Sequence, residues 1–592
     1  MFLSRSVGRI LRARFPRHGH FSFAALSSTN SLRALALTVE EKEIFDILGA
    51  VVEQHRLDTE VRVAGGWVRN KLLGLDGGDI DIALTNMTGL EFAKLVKQMV
   101  RSSPHERFGA DVESYLIRAN PSQSKHLETA AVRLKGMWID FVNMRSEVYL
   151  DAAGRIPECV FATPEEDAQR RDFTVNSLFY NIRDEAVEDF TGCGMEDLRN
   201  SVLRTPPCRS TTTVLLEDPL RAYRAIRFAA TYGFTIEKNL LASLDDGSVH
   251  SAVLSKISRE RITGEIRKMY FLHPEKYIAG LELLGRTGLG PLLFDRPEIS
   301  PVVDEGTVRG WWQQGCSLLT FVAQTVKRFD TGNTRGTNVH GISLTLACMA
   351  SALPKEYFWS LPSFVASAND VVYMEGVFTG EHASGGESPY LKLEKIRSSN
   401  YFTLRHNKEK FFHPCIANKL PGVTKEVSSL GSLIFSGART FPITVWEMIS
   451  GSTSVDEQTN CNMTVAMSIV LWLQCFENSF LDHGTFSIDA AIAISCMIDA
   501  DGDVVTARER YNTIQGFMAE QCVVDIAFRK EKSLVNGLEI MSVTEVQGPR
   551  IAKLKNIGEI WHLAHVIGKR DVAKETCLEF LKQLKEGEKN WV

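Results

Sequence analysis

Apolar side chains at Ile44, Leu48, Val51 and Val52 recur at helical spacing and predict an amphipathic helix from Val39 to Leu57. Val61 to Ala64 then reads as a short strand ending at the pair Gly65-Gly66, and in GDIDIAL the apolar Ile80, Ile82 and Leu84 alternate with Asp79 and Asp81. Alternate residues of a strand share a face, so the two aspartates stand side by side while the aliphatic side chains enter the core. Leu90 to Val100 has helical spacing, whereas Arg101 to Glu113 is polar and poorly patterned. Two further strands, Glu128 to Leu134 and Met137 to Asn143, are joined by a turn at Lys135-Gly136, and the second carries Asp140 in an otherwise apolar run. Beyond Phe271 helical patterns recur at Tyr277 to Thr287, Gly315 to Phe329, Val465 to Phe480 and Arg508 to Phe528, interrupted by insertion-like stretches such as Gly380 to Pro389. Near the end of the chain, Gly548-Pro549-Arg550 opens a helix that puts Ile551, Leu554, Ile557 and Trp561 on one face.

A chain of 592 residues can bury a large core and is expected to form three or four structural units. Its 44% hydrophobic and 23% charged residues are ordinary for a soluble globular protein, and no apolar run approaches the roughly 20 residues needed to cross a bilayer. The net charge of −5 means that any nucleic-acid contact must use a local basic face. Eleven cysteines occur without a CxxC pair, which points to reduced thiols in an intracellular compartment. Met1 to Thr38 carries six arginines, several serines and no acid, the composition of a mitochondrial transit peptide; a basic RNA-binding arm is the alternative. Removing those six positive charges would take the formal charge from −5 to −11.

The chemistry concentrates between Val61 and Phe228. Two carboxylates about 4 Å apart repel by about 4 kcal/mol at an effective dielectric near 20, a cost that a bridging cation removes. Oxygen ligands with no nearby His or Cys favour Mg²⁺, which typically arrives with substrate phosphates. Gly65 and Gly66 allow the backbone to approach a ligand, and with Arg69 they are candidate triphosphate contacts. Asp140 is either paired with Arg133 or Arg145 or is a third metal ligand. In DAQRRDFTVNSLFYN, Arg170, Arg171, Asp172 and Asn176 fall within one or two helical turns and can face a ribose or phosphate while Phe173, Leu178 and Phe179 pack.

In EDPLRAYRAIRF, Asp218 before Pro219 is a candidate N-cap. The functional reading puts Asp218 and Arg221, three apart, on one helix face. Cytosine and adenine each offer an exocyclic amine beside a ring-nitrogen acceptor, which suits a carboxylate next to a guanidinium. Uracil and guanine reverse that pattern and would leave buried groups unpaired. Arg224 and Arg227 continue the basic helix towards phosphate or serve as support. Near the end of the chain, Arg550, Lys553 and Lys555 at a helix start are candidate RNA phosphate contacts, with core packing of that helix as the plain alternative.

GGWVR followed by GDIDIAL resembles the opening motif of the class II tRNA nucleotidyltransferases, the CCA-adding enzymes of the polymerase β superfamily. RRDFTVN and EDPLR are similar to that family's ribose motif and base-reading template, and NPSQSKHLETA with IDFVNMR lies closer to its eukaryotic members. The resemblance is good from Val61 to Met269 and looser beyond. It implies an α+β fold, with a small mixed-sheet head followed by a mostly helical neck, body and tail in a seahorse-like outline. The corresponding divisions are a transit peptide at 1–38, a nucleotidyltransferase head at 39–204, a nucleotide-reading neck at 205–272 and a tRNA-binding body and tail at 273–592.

The family also has a mobile loop where Arg101 to Glu113 lies, and a third acid that favours the metal reading of Asp140. Glu188 to Leu198 resembles its connector, in which Asp189, Gly192 and Asp197 are turn and cap residues, and Ile257 to Met269 resembles the helix that braces the template. The implied activity is transfer of CMP, CMP and AMP from CTP and ATP to the tRNA 3′ end, with Asp79, Asp81 and Asp140 holding Mg²⁺. CC-adding, A-adding and poly(A)-adding transferases of the same fold, and a catalytically silent RNA-binding protein, are the rivals. No protein partner is evident; the location is mitochondrial, with a cytosolic or nuclear form left open. One departure stands out: relatives usually have GGxVRD, and this chain has Asn70, which bears on the orientation of Arg69.

Overall fold

The computed structural model describes residues 35–102, 114–117, 129–148, 158–269, 272, 274–293, 305–326, 339–352, 425–441, 445–451, 455–475, 486–528 and 533–587. Nearly all of the transit-peptide stretch, the irregular stretch beyond Ser102, Glu128 and the Gly380 to Pro389 insertion lie outside these residues. The chain divides into two units, Met1–Ile257 and Ser258–Val592. The neck expected over 205–272 spans that division.

In the first unit, helix α1 (Val39–His55) starts at a capping box in which Thr38 and Glu41 satisfy each other's backbone amides. It buries Ile44, Leu48 and Val51 and ends at His55, two residues earlier than the periodicity predicts, with its C-cap Arg56 in a left-handed conformation at φ 49°. Strand β1 (Val61–Ala64) leads through Gly65 into the short helix α2 (Gly66–Leu72). There Trp67 is buried, donates to Glu41 at 3.0 Å and packs on Phe45 and Tyr180. A Cβ on Gly77 would fall 2.4 Å from the Trp67 Nε1, so the loop approaching Asp79 lies directly on this indole.

Strand β2 (Ile80–Leu84) buries Ile80 and Ile82 and turns Asp81 outward, as the alternation predicts; Asp79 stands one residue before the strand rather than in it. Helix α3 (Gly89–Ser102) packs Phe92 on Phe141. Strands β3 (Ser114–Ile117), β4 (Thr129–Leu134) and β5 (Met137–Asn143) follow. The β4–β5 turn is at Lys135-Gly136, both at positive φ (51° and 82°), the conformation that a tight hairpin requires. A small ribbon of β6 (Arg145–Val148) and β7 (Glu158–Phe161) precedes helix α4 (Pro164–Gln169), a 3₁₀ turn at Thr174–Asn176, and strands β8 (Leu178–Asn181) and β9 (Ala186–Asp189).

Seven strands form one mixed sheet in the order β3-β4-β5-β2-β1-β8-β9. Its parallel pair is β2 with β5, and their register sets Asp81 opposite Asp140. Helix α5 (Gly194–Asn200) and strand β10 (Val202–Leu203) connect to helix α6 (Thr211–Glu217) and then to helix α7 (Leu220–Tyr232), whose buried stripe includes Ala222, Tyr223, Ala225, Ile226 and Ala229.

The second unit is helical throughout its described residues. Its helices include Arg259–Met269, Pro274–Arg286, Glu305–Thr325 and Val455–Cys475, broader than or shifted from the sequence periodicity. The run expected from Arg508 to Phe528 is two helices, Val504–Glu520 and Val523–Ala527, broken where Cys522 adopts φ 52°. The helix Arg550–Ile567, which is followed by one more at Lys574–Gly587, buries Leu554, Ile557 and Trp561 as predicted, with Arg550 exposed and Lys553 partly so. Among the described residues no helix is long and apolar enough to cross a membrane.

Candidate active site

A cleft of about 480 Å³ in the first unit gathers residues from four separate stretches. Gly65, Gly66 and Arg69 come from the β1–α2 junction and Asp81 from β2. Arg170, Arg171, Asp172 and Asn176 come from the turn after α4, and Asp218 with Arg221, Arg224, Arg227, Phe228 and Tyr232 from α7 and its approach. Six arginines against three aspartates make the lining cationic, with Asp81 as the acidic point. Asp79 and Asp140 border Asp81 by chain and by register respectively.

The strand carboxylates act on one another. Asp81 meets the water of the cleft, yet the surrounding protein desolvates it; that effect first, then Asp140, lifts its pKa from 3.8 to about 6, with Asp79 adding and Arg171 opposing. Burial and then Asp79 likewise raise Asp140, and neither Arg133 nor Arg145 contributes there. Arg133 instead lies over Trp138 and reaches the Gly136 carbonyl. Among the described residues no three His, Cys, Asp or Glu side chains are already drawn together as a metal cage. The donor set still fits a hard divalent cation: the crowded charge that raises Asp81 and Asp140 is relieved by a positive charge beside them.

Gly65 has φ +73° and ψ −124°, a conformation nearly confined to glycine, and a Cβ there would come within 3.1 Å of the Arg171 Nη1. Arg69 is buried. Its Nη2 donates to Asn70 Oδ1 at 2.8 Å and to the Tyr232 hydroxyl at 2.7 Å, its Nη1 donates to Asn176, and its guanidinium lies 4.5 Å from the Tyr232 ring centroid. Burial lowers its pKa. Asn70 thus still receives two Arg69 donors, Nε at 3.1 Å and Nη2, through a neutral oxygen. Most of the Arg69 donors are engaged inside the wall rather than projecting into the cleft.

The RRDFTVN run is not on a helix. Helix α4 ends at Gln169 with Arg170 as C-cap, Phe173 is extended, and the 3₁₀ turn follows, so the polar groups converge from a bend. Phe173 at φ −138° breaks any helical path because its ring is drawn into the core against Phe228. Asp172 accepts from the Asn176 Nδ2 at 3.0 Å and from Arg224 Nε and Nη2 at 2.8 and 2.7 Å. Burial pushes its pKa up, but Arg224, Asn176 and Arg221 win and hold it at about 2.

Asp218 is not the N-cap of α7. It ends α6 in an extended conformation, and Pro219 occupies the cap, although the Asp218 Oδ1 still accepts the Leu220 amide at 3.3 Å. Arg221 donates Nη1 to the Val214 carbonyl at 3.1 Å and Nη2 to the Arg170 carbonyl at 2.8 Å, so its guanidinium is held at two points. Arg227 lies 4.3 Å from the Phe228 ring centroid. In the connector, Asp189 caps the turn by accepting from Thr191, Gly192 and Met195, while Asp197 is buried and bonded to Thr174 and Arg204. Three site residues escaped the sequence reading. Phe228 and Tyr232 had only an apolar helical pattern, and Asp167, buried behind the arginines, was signalled only by its i+3 and i+4 spacing to Arg170 and Arg171.

Residues 61–204 match the profile of the Poly A polymerase head domain. The chain is 45% identical over 236 residues to the mitochondrial CCA tRNA nucleotidyltransferase of Saccharomyces cerevisiae, a match covering 40% of this chain and 42% of that protein. It is 44% identical over 251 residues to a tRNA nucleotidyltransferase of Schizosaccharomyces pombe, covering 41% and 48%. The matched stretch is thus less than half the length of either relative. A solved CCA-adding enzyme in complex with CTP shares the fold at a TM-score of 0.50 and 17% identity, over 93% of this chain and 96% of that one. Residues 61–204 of the chain are thus similar to the Poly A polymerase head domain, and the matched stretch is similar to the CCA tRNA nucleotidyltransferases.

Proposed function

We propose that this protein is a CCA-adding tRNA nucleotidyltransferase that transfers CMP, CMP and AMP from CTP and ATP to the tRNA 3′ end and releases pyrophosphate. The observation that carries the reading is the arginine-rich cleft with Asp81 in its lining and Asp140 in register beside it. A cationic lining suits a triphosphate, and juxtaposed carboxylates suit its counter-cation. Asp79, Asp81 and Asp140 would hold Mg²⁺, which when bound neutralises phosphate charge and makes the attacking hydroxyl more acidic.

The chain's own groups do the rest. Gly65 and Gly66 let the backbone come close to phosphate, with the Arg171 Nη1 against Gly65 and the Arg69 Nη2 against Gly66. Arg170, Arg171, Asp172 and Asn176 form the wall offered to the nucleotide's sugar and phosphates, and Arg224 and Arg227 brace or extend it. Asp218 and Arg221 read the base. The two carbonyls gripping Arg221 support that role, because a preset guanidinium loses little entropy on meeting a ring nitrogen. The tRNA 3′ hydroxyl attacks the α-phosphorus, and rate enhancement comes from positioning and charge complementarity.

On this reading the head is 39–204, the neck 205–272 and the tRNA-binding body and tail 273–592, with Arg550 and Lys553 among the tail's phosphate contacts. Residues 1–38 would direct the protein to mitochondria, in keeping with the mitochondrial relative. The test is Asp79→Ala: CMP incorporation should vanish while tRNA binding, measured by filter retention, stays near wild type. Full activity in that variant would remove the strand aspartates from the chemistry.

A further inference from the structure

One buried carboxylate has no part in the scheme above, and it stands directly behind the arginines. Asp167 is only 1% exposed, and its two oxygens are divided between two neighbours. Oδ1 accepts from Arg170 Nε at 2.9 Å and from its Nη2, and also from the Arg145 amide at 3.3 Å. Oδ2 accepts from Arg171 Nε at 3.0 Å and Nη2 at 2.8 Å. Held along its Nε–Nη2 edge, Arg171 turns its Nη1 towards Gly65, where the missing Cβ leaves room for it and where it also reaches the Asn176 carbonyl at 3.5 Å. Asp81 lines the same cleft as Arg171. The Arg171 guanidinium therefore has two carboxylates to choose between, and the two-point, buried grip of Asp167 is the stronger arrangement.

We propose that Asp167 is a positioning residue: by clamping Arg171 it stops that guanidinium from pairing with Asp81, which leaves Asp81 free for a divalent cation and points the Arg171 Nη1 at phosphate. The inference rests on the nucleotidyltransferase reading and assigns a task to a residue that touches neither nucleotide nor metal. Asp167 titrates at about 2, burial being outweighed by Arg171 and Arg170, so the clamp stays charged across the physiological range. Without it, Arg171 would be a mobile cation beside an acidic group, in direct competition with the metal.

The test uses the full-length protein and reads Mn²⁺ binding by loss of the free-ion electron paramagnetic resonance signal, and CTP binding without metal by equilibrium dialysis. Asp167→Asn should weaken Mn²⁺ binding by roughly 10-fold or more, in the range found when support behind metal ligands is removed. Adding Arg171→Gln to that variant should restore Mn²⁺ affinity, since the competing cation is gone, while CTP binding stays weak. Arg171→Lys and Arg171→Gln give a second route that leaves the buried carboxylate in place. The lysine keeps a charge but cannot be gripped at two points, so it should weaken Mn²⁺ binding where the glutamine does not. Unchanged Mn²⁺ affinity in Asp167→Asn, equal weakening with and without Arg171→Gln, or identical behaviour of the lysine and glutamine variants would each overturn the clamp. A wild-type protein that binds neither Mn²⁺ nor CTP would overturn the nucleotidyltransferase reading along with it.

Discussion

The pair Asp172–Arg224 ties the bend after α4 to helix α7, and its strength can be worked from the structure. Asp172 is 10% exposed and receives both Nε and Nη2 of Arg224 on one oxygen, with the Asn176 Nδ2 and the Phe173 amide on the other. Its pKa falls from 3.8 to about 2 even though burial alone would raise it, and Arg224 is the leading cause of the fall. Converted at the usual cost of a pKa shift, the charged carboxylate is favoured by roughly 2–3 kcal/mol. Arg224 keeps 32% of its side chain accessible, so solvent screening takes the pairwise share towards about 2 kcal/mol. A depressed carboxylate pKa means that this stability is fully present above about pH 4 and is lost as the pH falls through about 2.

Arg224→Met keeps the stem and removes the charge, leaving Asp172 buried beside weaker partners. Native-state hydrogen exchange over 220–232 and 170–177 at pH 7 should then accelerate roughly 30-fold, as about 2 kcal/mol requires. Asp172→Asn alone should act similarly, and the double variant should be far less than additive, giving a coupling of about 2 kcal/mol. Additive effects, or exchange confined to wild-type rates in Arg224→Met, would refute the assignment of the pair as a structural tie.

Gly65→Ala should raise the KM for CTP and lower the melting temperature, because its backbone conformation costs about 1–3 kcal/mol for a residue with a Cβ and the new methyl meets Arg171; wild-type values for both would show that the junction is not strained. Asp218→Ala should relax discrimination against UTP and GTP, which a matched carboxylate can set at roughly 10⁴-fold, more than it weakens triphosphate binding. Unchanged selectivity in competition assays would remove Asp218 from base reading. With Asp81 at about 6, protons compete with the metal below that pH, so Mn²⁺ affinity should fall about tenfold per unit from pH 6 to 5. Asp140→Asn should move that break to lower pH, since Asp140 is the main neighbouring charge holding Asp81 up, and an unmoved break would contradict the coupling.

What could be read from sequence was local. The alternation at Ile80, Ile82 and Leu84 put Asp81 on the open face, and Lys135-Gly136 marked a hairpin because positive φ at two successive positions is a short-range requirement. The pairing of Asp81 with Asp140 was not local. It depends on a parallel register between strands more than 50 residues apart, which no spacing rule encodes, and only the family resemblance put Asp140 in the site. Helical periodicity misread RRDFTVN because the core's demand for Phe173 overrides it, and the N-cap preference misread Asp218 because Pro219 takes the cap. Asp167 looked like any acid in a helical first turn. Its function appears only when both arginines fold back on it. Arg69, read as a phosphate contact, is bound chiefly by Asn70, Asn176 and Tyr232, and the last of these lies 163 residues away.

The most direct measurement is to incubate the purified protein with Mg²⁺, CTP and ATP and tRNA transcripts ending before CCA or after CC, and to sequence the 3′ ends. The expected result is growth to CCA followed by arrest on both substrates. Ends that stop at CC, gain only the terminal A, run on into A-tracts, or bind without extension would contradict it.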